Sequence, residues 1–238
     1  AHCRQVLFEL NSEETMQYIR IMFVTAMLFL SASSGWSLTG SQIMAKNRQL
    51  AKPQSSKGQI KLVINNSGQK RVKEFQIFTR KVDDTTYSRI NFQKPGKMQF
   101  LIHSNSKGDT QQWIKLSSGR VRRIASGNRK GRWAESHFYY EDLKTTDYDN
   151  FNFTRLKDAT VQSYKKKEIA CYRVEAKPKA SDSVYSKRIL YIEKASFRIR
   201  RVLFYERGRH TKTLTNYLFK TISGIPTPRL VYMKPAES

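Results

Sequence analysis

Apolar and polar residues alternate in short runs along most of the chain from residue 58 onward. In the first run Ile60, Leu62 and Ile64 are separated by polar residues, and the turn-forming stretch Asn65–Gly68 follows. A period of two places the apolar side chains on one face of a β-strand. The pattern predicts strands at residues 60–64, 72–80, 85–92, 98–104, 110–116, 121–125, 159–164, 169–176, 185–192, 197–205, 210–219 and 230–233.

The turns between these runs are short and rich in Gly, Pro, Asn and Asp, which favours an antiparallel meander. About a dozen strands without a repeat, linker or composition shift predict one mainly β domain, built as a single highly curved sheet or an open barrel. Residues Leu38–Leu50 predict a short helix over the sheet, with Thr39 or Ser41 as N-cap. This helix and the central loop are too small to fill a wide concavity, so an apolar hollow that binds a ligand is expected.

The charge of the chain restricts the class of its partners. Lys and Arg number 44 against 19 Asp and Glu, a formal net charge of +25. A positive field of this size favours nucleic acid, acidic membrane surfaces or lipid head groups.

The N-terminal region predicts export, which changes how this charge is interpreted. The apolar run Ile19–Leu30 is shorter than the roughly 20 residues that span a bilayer. It follows a short positive segment that begins at Met16 and precedes the small residues Ser31–Ser37, as in a cleaved signal peptide. An N-terminal core helix is the alternative. We expect residues 1–37 to comprise upstream sequence and this signal, and an exported basic protein to meet phospholipid or other anionic envelope polymers more often than nucleic acid.

Cysteine usage agrees with a soluble, exported monomer. Cys171 is the one cysteine outside the predicted leader, so no intramolecular disulfide is expected. No cysteine lies among the small residues directly after the apolar run, so no lipid anchor is expected. Cys171 begins the alternating stretch CYRVEA and is interpreted as a core residue.

Motifs of catalysis and metal binding are absent from the sequence. It contains no nucleophile elbow, phosphate-binding loop, dinucleotide fingerprint or metalloprotease motif, and its four histidines are widely separated. We therefore predict no catalytic residue, no metal site and no cofactor.

The stretch Gln112–Leu143 combines aromatic, cationic and acidic groups. Arg122 and Arg123 are neighbours on a predicted strand and point to opposite faces, so at most one of them lines the hollow. An arginine there would suit a phosphate or carboxylate head group. Its alternative role is an ion pair with Glu141 or Asp142 that fixes the central loop. The predicted cavity residues are Trp113, Arg122, Phe138 and Tyr140, and the predicted loop-fixing ion pairs involve Arg123, Glu141 and Asp142.

The same stretch resembles a known family. Trp113, the run Arg122–Ile124, Phe138 and the run Tyr140–Leu143 are similar to the motif of the outer-membrane lipoprotein-sorting, LolA-like proteins, in the branch with the signature RRI…F.GSDFsYEDl. Further similar segments are Phe92–Pro95, Cys171–Pro178, Tyr185–Lys187 and Phe204–Lys212. The chain departs from the family at residues 135–137, which read Glu-Ser-His in place of Gly-Ser-Asp, and lacks the family's final strands, which predicts a truncated C-terminus.

The resemblance implies a half-open antiparallel barrel with a helical lid over a hydrophobic cavity, formed by residues 38–238. It implies a periplasmic carrier of lipoproteins or other lipid-like molecules, with an anionic membrane surface and envelope transport proteins as partners. Two alternatives stay open: a lipid-cleaving enzyme that uses the same cavity, with Glu141, Asp142 or His137 in catalysis, and a basic module that binds anionic envelope polymers.

Overall fold

The computed structural model describes residues 37–236 except 67, 106, 108, 145–147 and 180–182. The predicted signal peptide lies almost entirely outside these residues. Within them, one α-helix and twelve β-strands form a mainly β protein. The elements are α1 (Gly40–Arg48), β1 (Ser55–Asn66), β2 (Gln69–Val82), β3 (Thr85–Lys94), β4 (Gln99–Asn105), β5 (Thr110–Lys115), β6 (Val121–Arg123), β7 (Phe151–Gln162), β8 (Glu168–Pro178), β9 (Lys187–Glu193), β10 (Ile199–Glu206), β11 (Arg209–Ile222) and β12 (Ile225–Pro235).

The strands form two six-stranded sheets, and each strand pairs antiparallel with its neighbour in sequence. The first sheet has the order β1-β2-β3-β4-β5-β6 and the second β12-β11-β10-β9-β8-β7. The predicted meander is confirmed, but hydrogen bonding divides it into two sheets instead of the single sheet that was predicted. The reason is local: β6 has only three residues, and after it the chain turns into short 3-10 helices before β7 begins. We call residues 124–144, which lie between the sheets in sequence, the connector.

Helix α1 was predicted and packs on the second sheet. Thr39 caps it: the Thr39 Oγ1 accepts from the Gln42 N–H, and the Gln42 side chain accepts from the Thr39 N–H. Its first residue, Gly40, touches the backbone of β7, where a Cβ would lie 2.8 Å from the Arg155 nitrogen. Only glycine permits this approach, which lets the side chains of Ile43 and Met44 become buried.

The connector fills the inner face of the first sheet. Trp133 is 5% exposed and packs edge-on against Phe75, with the ring centroids 5.4 Å apart. The ring of Tyr140 stacks on Phe100 at 5.5 Å. This core also contains Ile90, Phe92 and Ile102, with Phe138, Leu143 and Ile124 packed against it. The first sheet therefore has its apolar face covered by the connector.

Candidate functional site

A cavity of about 380 Å³ lies on the inner face of the second sheet, beside α1 and the connector. Its volume falls within the roughly 300–1,000 Å³ of small-molecule sites. Its walls are mainly apolar and come from α1, the connector and strands of the second sheet. The apolar lining residues are Met44, Phe138, Phe151, Phe153, Ala176, Pro178, Leu190, Ile199, Val202, Phe204 and Leu214.

A buried ion pair joins the connector to the second sheet at this cavity. The Lys212 Nζ lies 2.6 Å from an Asp142 Oδ2, and the same ammonium donates to the His137 carbonyl at 2.9 Å. The Tyr185 hydroxyl donates to the other Asp142 oxygen at 2.6 Å, and the Tyr139 N–H donates to Oδ2 at 2.7 Å. Because every group is hydrogen-bonded, the pair is tolerated away from water.

The Lys212 ammonium also sits in an aromatic cage. It lies 3.5 Å from the ring centroid of Tyr139 and 5.3 Å from that of Tyr185. Burial is the largest cause that lowers the pKa of Lys212, and the nearby Arg188 acts in the same direction, whereas Asp142 raises it. This lysine is paired within the protein, so its own ammonium is not free to bind a ligand.

The second acid of the connector is paired as well, with a different partner from the one predicted. The Glu141 carboxylate is 7% exposed and lies 3.0 Å from the Lys144 Nζ. The Ser183 hydroxyl donates to its other oxygen at 3.4 Å. Arg123, the predicted partner of the acids, has an exposed side chain on β6. The acids do fix the connector, but lysines near them in space replace the arginine because β6 ends before the acids are reached.

The predicted cavity residues are dispersed. Phe138 lines the cavity. Tyr140 is used in the core of the first sheet, and Trp113 lies on the opposite face of that sheet, where it contacts His103 with the ring centroids 4.9 Å apart. Arg122 is exposed on β6 opposite Ile114. The structure thus places these last three with the first sheet and its core, and none of them lines this cavity.

Arg188 on β9 is a cationic residue of the cavity wall that was not among the predicted site residues. Its guanidinium carbon lies 5.1 Å from the ring centroid of Tyr185, 5.4 Å from that of Phe151 and 5.7 Å from that of Phe204. The alternation of Arg188 and Leu190 in the predicted strand 185–192 places both on one face. That parity was the signal by which Arg188 could have been found.

Burial shifts the pKa of two other candidate groups, and the shift at Cys171 argues against a reactive thiol. Burial is the main cause that raises the pKa of the Cys171 thiol to about 11, and the side chain is fully buried. Burial also lowers the pKa of His137, helped by Arg132 and Lys212. Cys171 is thus a protonated core residue, in agreement with its predicted role.

Among the described residues, no three His, Cys, Asp or Glu side chains are grouped so that they could hold a metal ion. The described stretch also has no helix with the length and apolarity needed to cross a bilayer.

Solved structures with this architecture define the class of fold. A crystal structure of a domain described as an outer membrane lipoprotein-sorting protein, from Vibrio parahaemolyticus, aligns with a TM-score of 0.74 at 26% identity, over 82% of this chain and 85% of that chain. A DUF1329 family protein from Desulfovibrio piger aligns with a TM-score of 0.75 at 23% identity, over 82% and 85%. A LolA superfamily protein from Nitrosomonas europaea aligns with a TM-score of 0.64 at 17% identity, over 84% and 87%. The fold is LolA-like.

A family model whose description reads "uncharacterized protein" matches residues 84–238, which is more than half of the chain. The chain belongs to that family. No curated protein matches it.

Proposed function

We propose that the protein is a periplasmic carrier that binds lipoprotein acyl chains or another lipid-like ligand in the cavity beside β9. The single observation that carries the proposal is the cavity of about 380 Å³ with mainly apolar walls. The structural similarity to a lipoprotein-sorting domain supports the same class of cargo. The connector carries the motif that includes Phe138 and Glu141. This motif supports membership of the branch of the lipoprotein-sorting, LolA-like family that has the signature RRI…F.GSDFsYEDl.

The chemistry of such a carrier needs no nucleotide or cofactor. Each methylene that leaves water for the cavity stabilises the complex by about 0.8 kcal/mol. Release then requires only an acceptor whose own cavity or membrane binds the chain more tightly. A half-open barrel, with α1 over the second sheet and the connector over the first, would let an acyl chain enter without unfolding either sheet.

The carboxylates at the cavity favour a carrier over a lipid-cleaving enzyme. A general base needs a free, suitably placed oxygen. Asp142 already accepts from Lys212, Tyr185 and Tyr139. The Glu141 Oε2 makes no hydrogen bond, but it is buried and held in an ion pair with the Lys144 ammonium. These contacts give both acids a structural role, so we propose that the protein has no enzymatic activity.

The charge of the chain suits work at an anionic surface. A net charge of +25 attracts acidic bilayers and envelope components, which would hold the carrier near its donor and acceptor partners. We propose that it acts as a monomer and that nucleic acid is not its partner. Binding to polyanions without cavity ligands would instead fit the basic-module alternative.

Lipid that co-purifies with the protein tests the proposal. Protein isolated from its native host without detergent is extracted with organic solvent, and the extract is examined by mass spectrometry. The proposal predicts about one equivalent of acyl-containing ligand per chain. An extract free of lipid, from protein that also fails to bind added fatty acid, would refute it.

A further inference from the structure

Arg188 places a cation in the wall of the cavity, among the aromatic rings of Tyr185, Phe151 and Phe204. Its Nε is fully buried and makes no hydrogen bond. None of the ion pairs found among the described residues includes Arg188. The aromatic rings that surround it favour a cation, but they do not satisfy guanidinium N–H groups, which seek carboxylate or phosphate oxygens. A half-buried arginine in this state lacks the partner that such groups normally have.

The other charged groups at the cavity leave Arg188 uncompensated. Of the acids that line it, Glu141 is paired with Lys144 and Asp142 with Lys212. The remaining lining charges, Lys107 and Asp109, are of opposite sign. The excess charge that faces the cavity is therefore the positive charge of Arg188.

The strand pairing places this cation among apolar surfaces on several sides. Arg188 lies between Ala176 on β8 and Phe204 on β10, and Leu190 follows it on the same face. A ligand that reached the guanidinium with an anionic group would lay its remaining atoms against this apolar wall. The site thus has the two parts that an amphiphile requires.

We infer that the cavity selects acidic lipids, whose carboxylate or phosphate head group binds Arg188 while the acyl chain occupies the apolar lining. The guanidinium offers parallel N–H donors that match both oxyanions. Uncharged lipids of equal chain length leave Arg188 unpaired and bind more weakly. This inference rests on the proposed carrier function and narrows its cargo.

Competition against a fluorescent fatty acid tests the inference with three probes that carry a 16-carbon chain. They are palmitate, palmitoyl lysophosphatidate and hexadecanol, which present a carboxylate, a phosphate and a neutral hydroxyl. The variants are Arg188→Gln and, as a matched control, Arg173→Gln. Arg173 lies over the ring of Tyr191 on β9, at 5.4 Å, and does not line the cavity.

In the unmodified protein we expect at least one acidic probe to bind about tenfold more tightly than hexadecanol. The probe with the greater advantage identifies the head group. Arg188→Gln should abolish the advantage of the acidic probes over hexadecanol, whereas Arg173→Gln should retain it.

Equal binding of all three probes by the unmodified protein would overturn the inference and leave the carrier proposal standing. Failure to bind any of them would defeat both. Because the comparison of probes uses the unmodified protein, the test stands even if Arg188→Gln fails to fold.

Discussion

The Lys212 Nζ lies 2.6 Å from the Asp142 Oδ2, and the two side chains are only 3% and 4% exposed. Asp142 belongs to the connector and Lys212 to β11, so this pair ties the segment that covers the first sheet to the wall of the cavity. A charge pair this deep is stable only as a pair, because either charge alone would be left without a counterion away from water.

Lys212→Met should therefore destabilise the protein by about 3 kcal/mol, the lower end of the range for breaking a buried pair. The free energy of unfolding in urea measures this cost. The double variant Lys212→Met, Asp142→Leu should recover part of the loss, because it removes the orphaned carboxylate.

The control for this prediction is the exposed pair of Arg48 and Asp149, whose side chains are 55% and 75% exposed. Arg48→Gln should change the unfolding free energy by less than about 1 kcal/mol. Equal costs for Lys212→Met and Arg48→Gln would contradict the structural role of the buried pair.

Trp133 of the connector and Trp113 of β5 should differ in their contribution to the free energy of unfolding. Trp133→Ala removes the central side chain of that core and should cost about 3–5 kcal/mol. Trp113 lies half-buried on the other face, so Trp113→Ala should cost clearly less. Chemical denaturation of both variants measures the two losses of unfolding free energy. A larger loss for Trp113→Ala than for Trp133→Ala would show that the connector does not form the core described.

Local periodicity explains what could be predicted from the sequence. The alternation of Ile60, Leu62 and Ile64, and similar runs elsewhere, predicted the strands, and Thr39 predicted the start of α1. These features depend on residues within a few positions of one another. The split into two sheets depends on β6 being only three residues long, which the run 121–125 does not reveal.

The site could be predicted only in part because its contacts join distant segments. Asp142 meets Lys212, seventy positions later, and no local pattern indicates that pairing. Glu141 and Asp142 form ion pairs with Lys144 and Lys212, and Arg123, which is near them in sequence, is not their partner. Phe138 and Arg188 both line the cavity, but they lie far apart in the chain, so no single stretch indicates both of them.

The free energy of unfolding above pH 9 should depend on the ionisation of the Cys171 thiol. Its thiol has a pKa of about 11 when folded, against an ordinary value of 9.0. Between these values the unfolded chain loses the proton and the folded protein keeps it, so stability falls as the pH rises through this window. The contribution lost should reach about 2 kcal/mol near pH 11.

Unfolding curves of the unmodified protein and of Cys171→Ala, measured from pH 8 to pH 11, isolate this contribution. The difference between the two free energies should shrink as the pH rises, because the variant lacks the thiol. A constant difference across the range would mean that the thiol ionises equally well in both states.

Titration of a fluorescent fatty acid into a matched pair of tryptophan variants tests the central claim most directly. Leu214→Trp fills the cavity, whereas Ile222→Trp alters an exposed site on the same strand, β11, where Ile222 is 49% exposed. With circular dichroism confirming that both variants fold, we predict that Leu214→Trp weakens binding at least about tenfold, or 1.4 kcal/mol, and that Ile222→Trp binds as the unmodified protein does. Unchanged binding by Leu214→Trp would contradict a lipid site in this cavity.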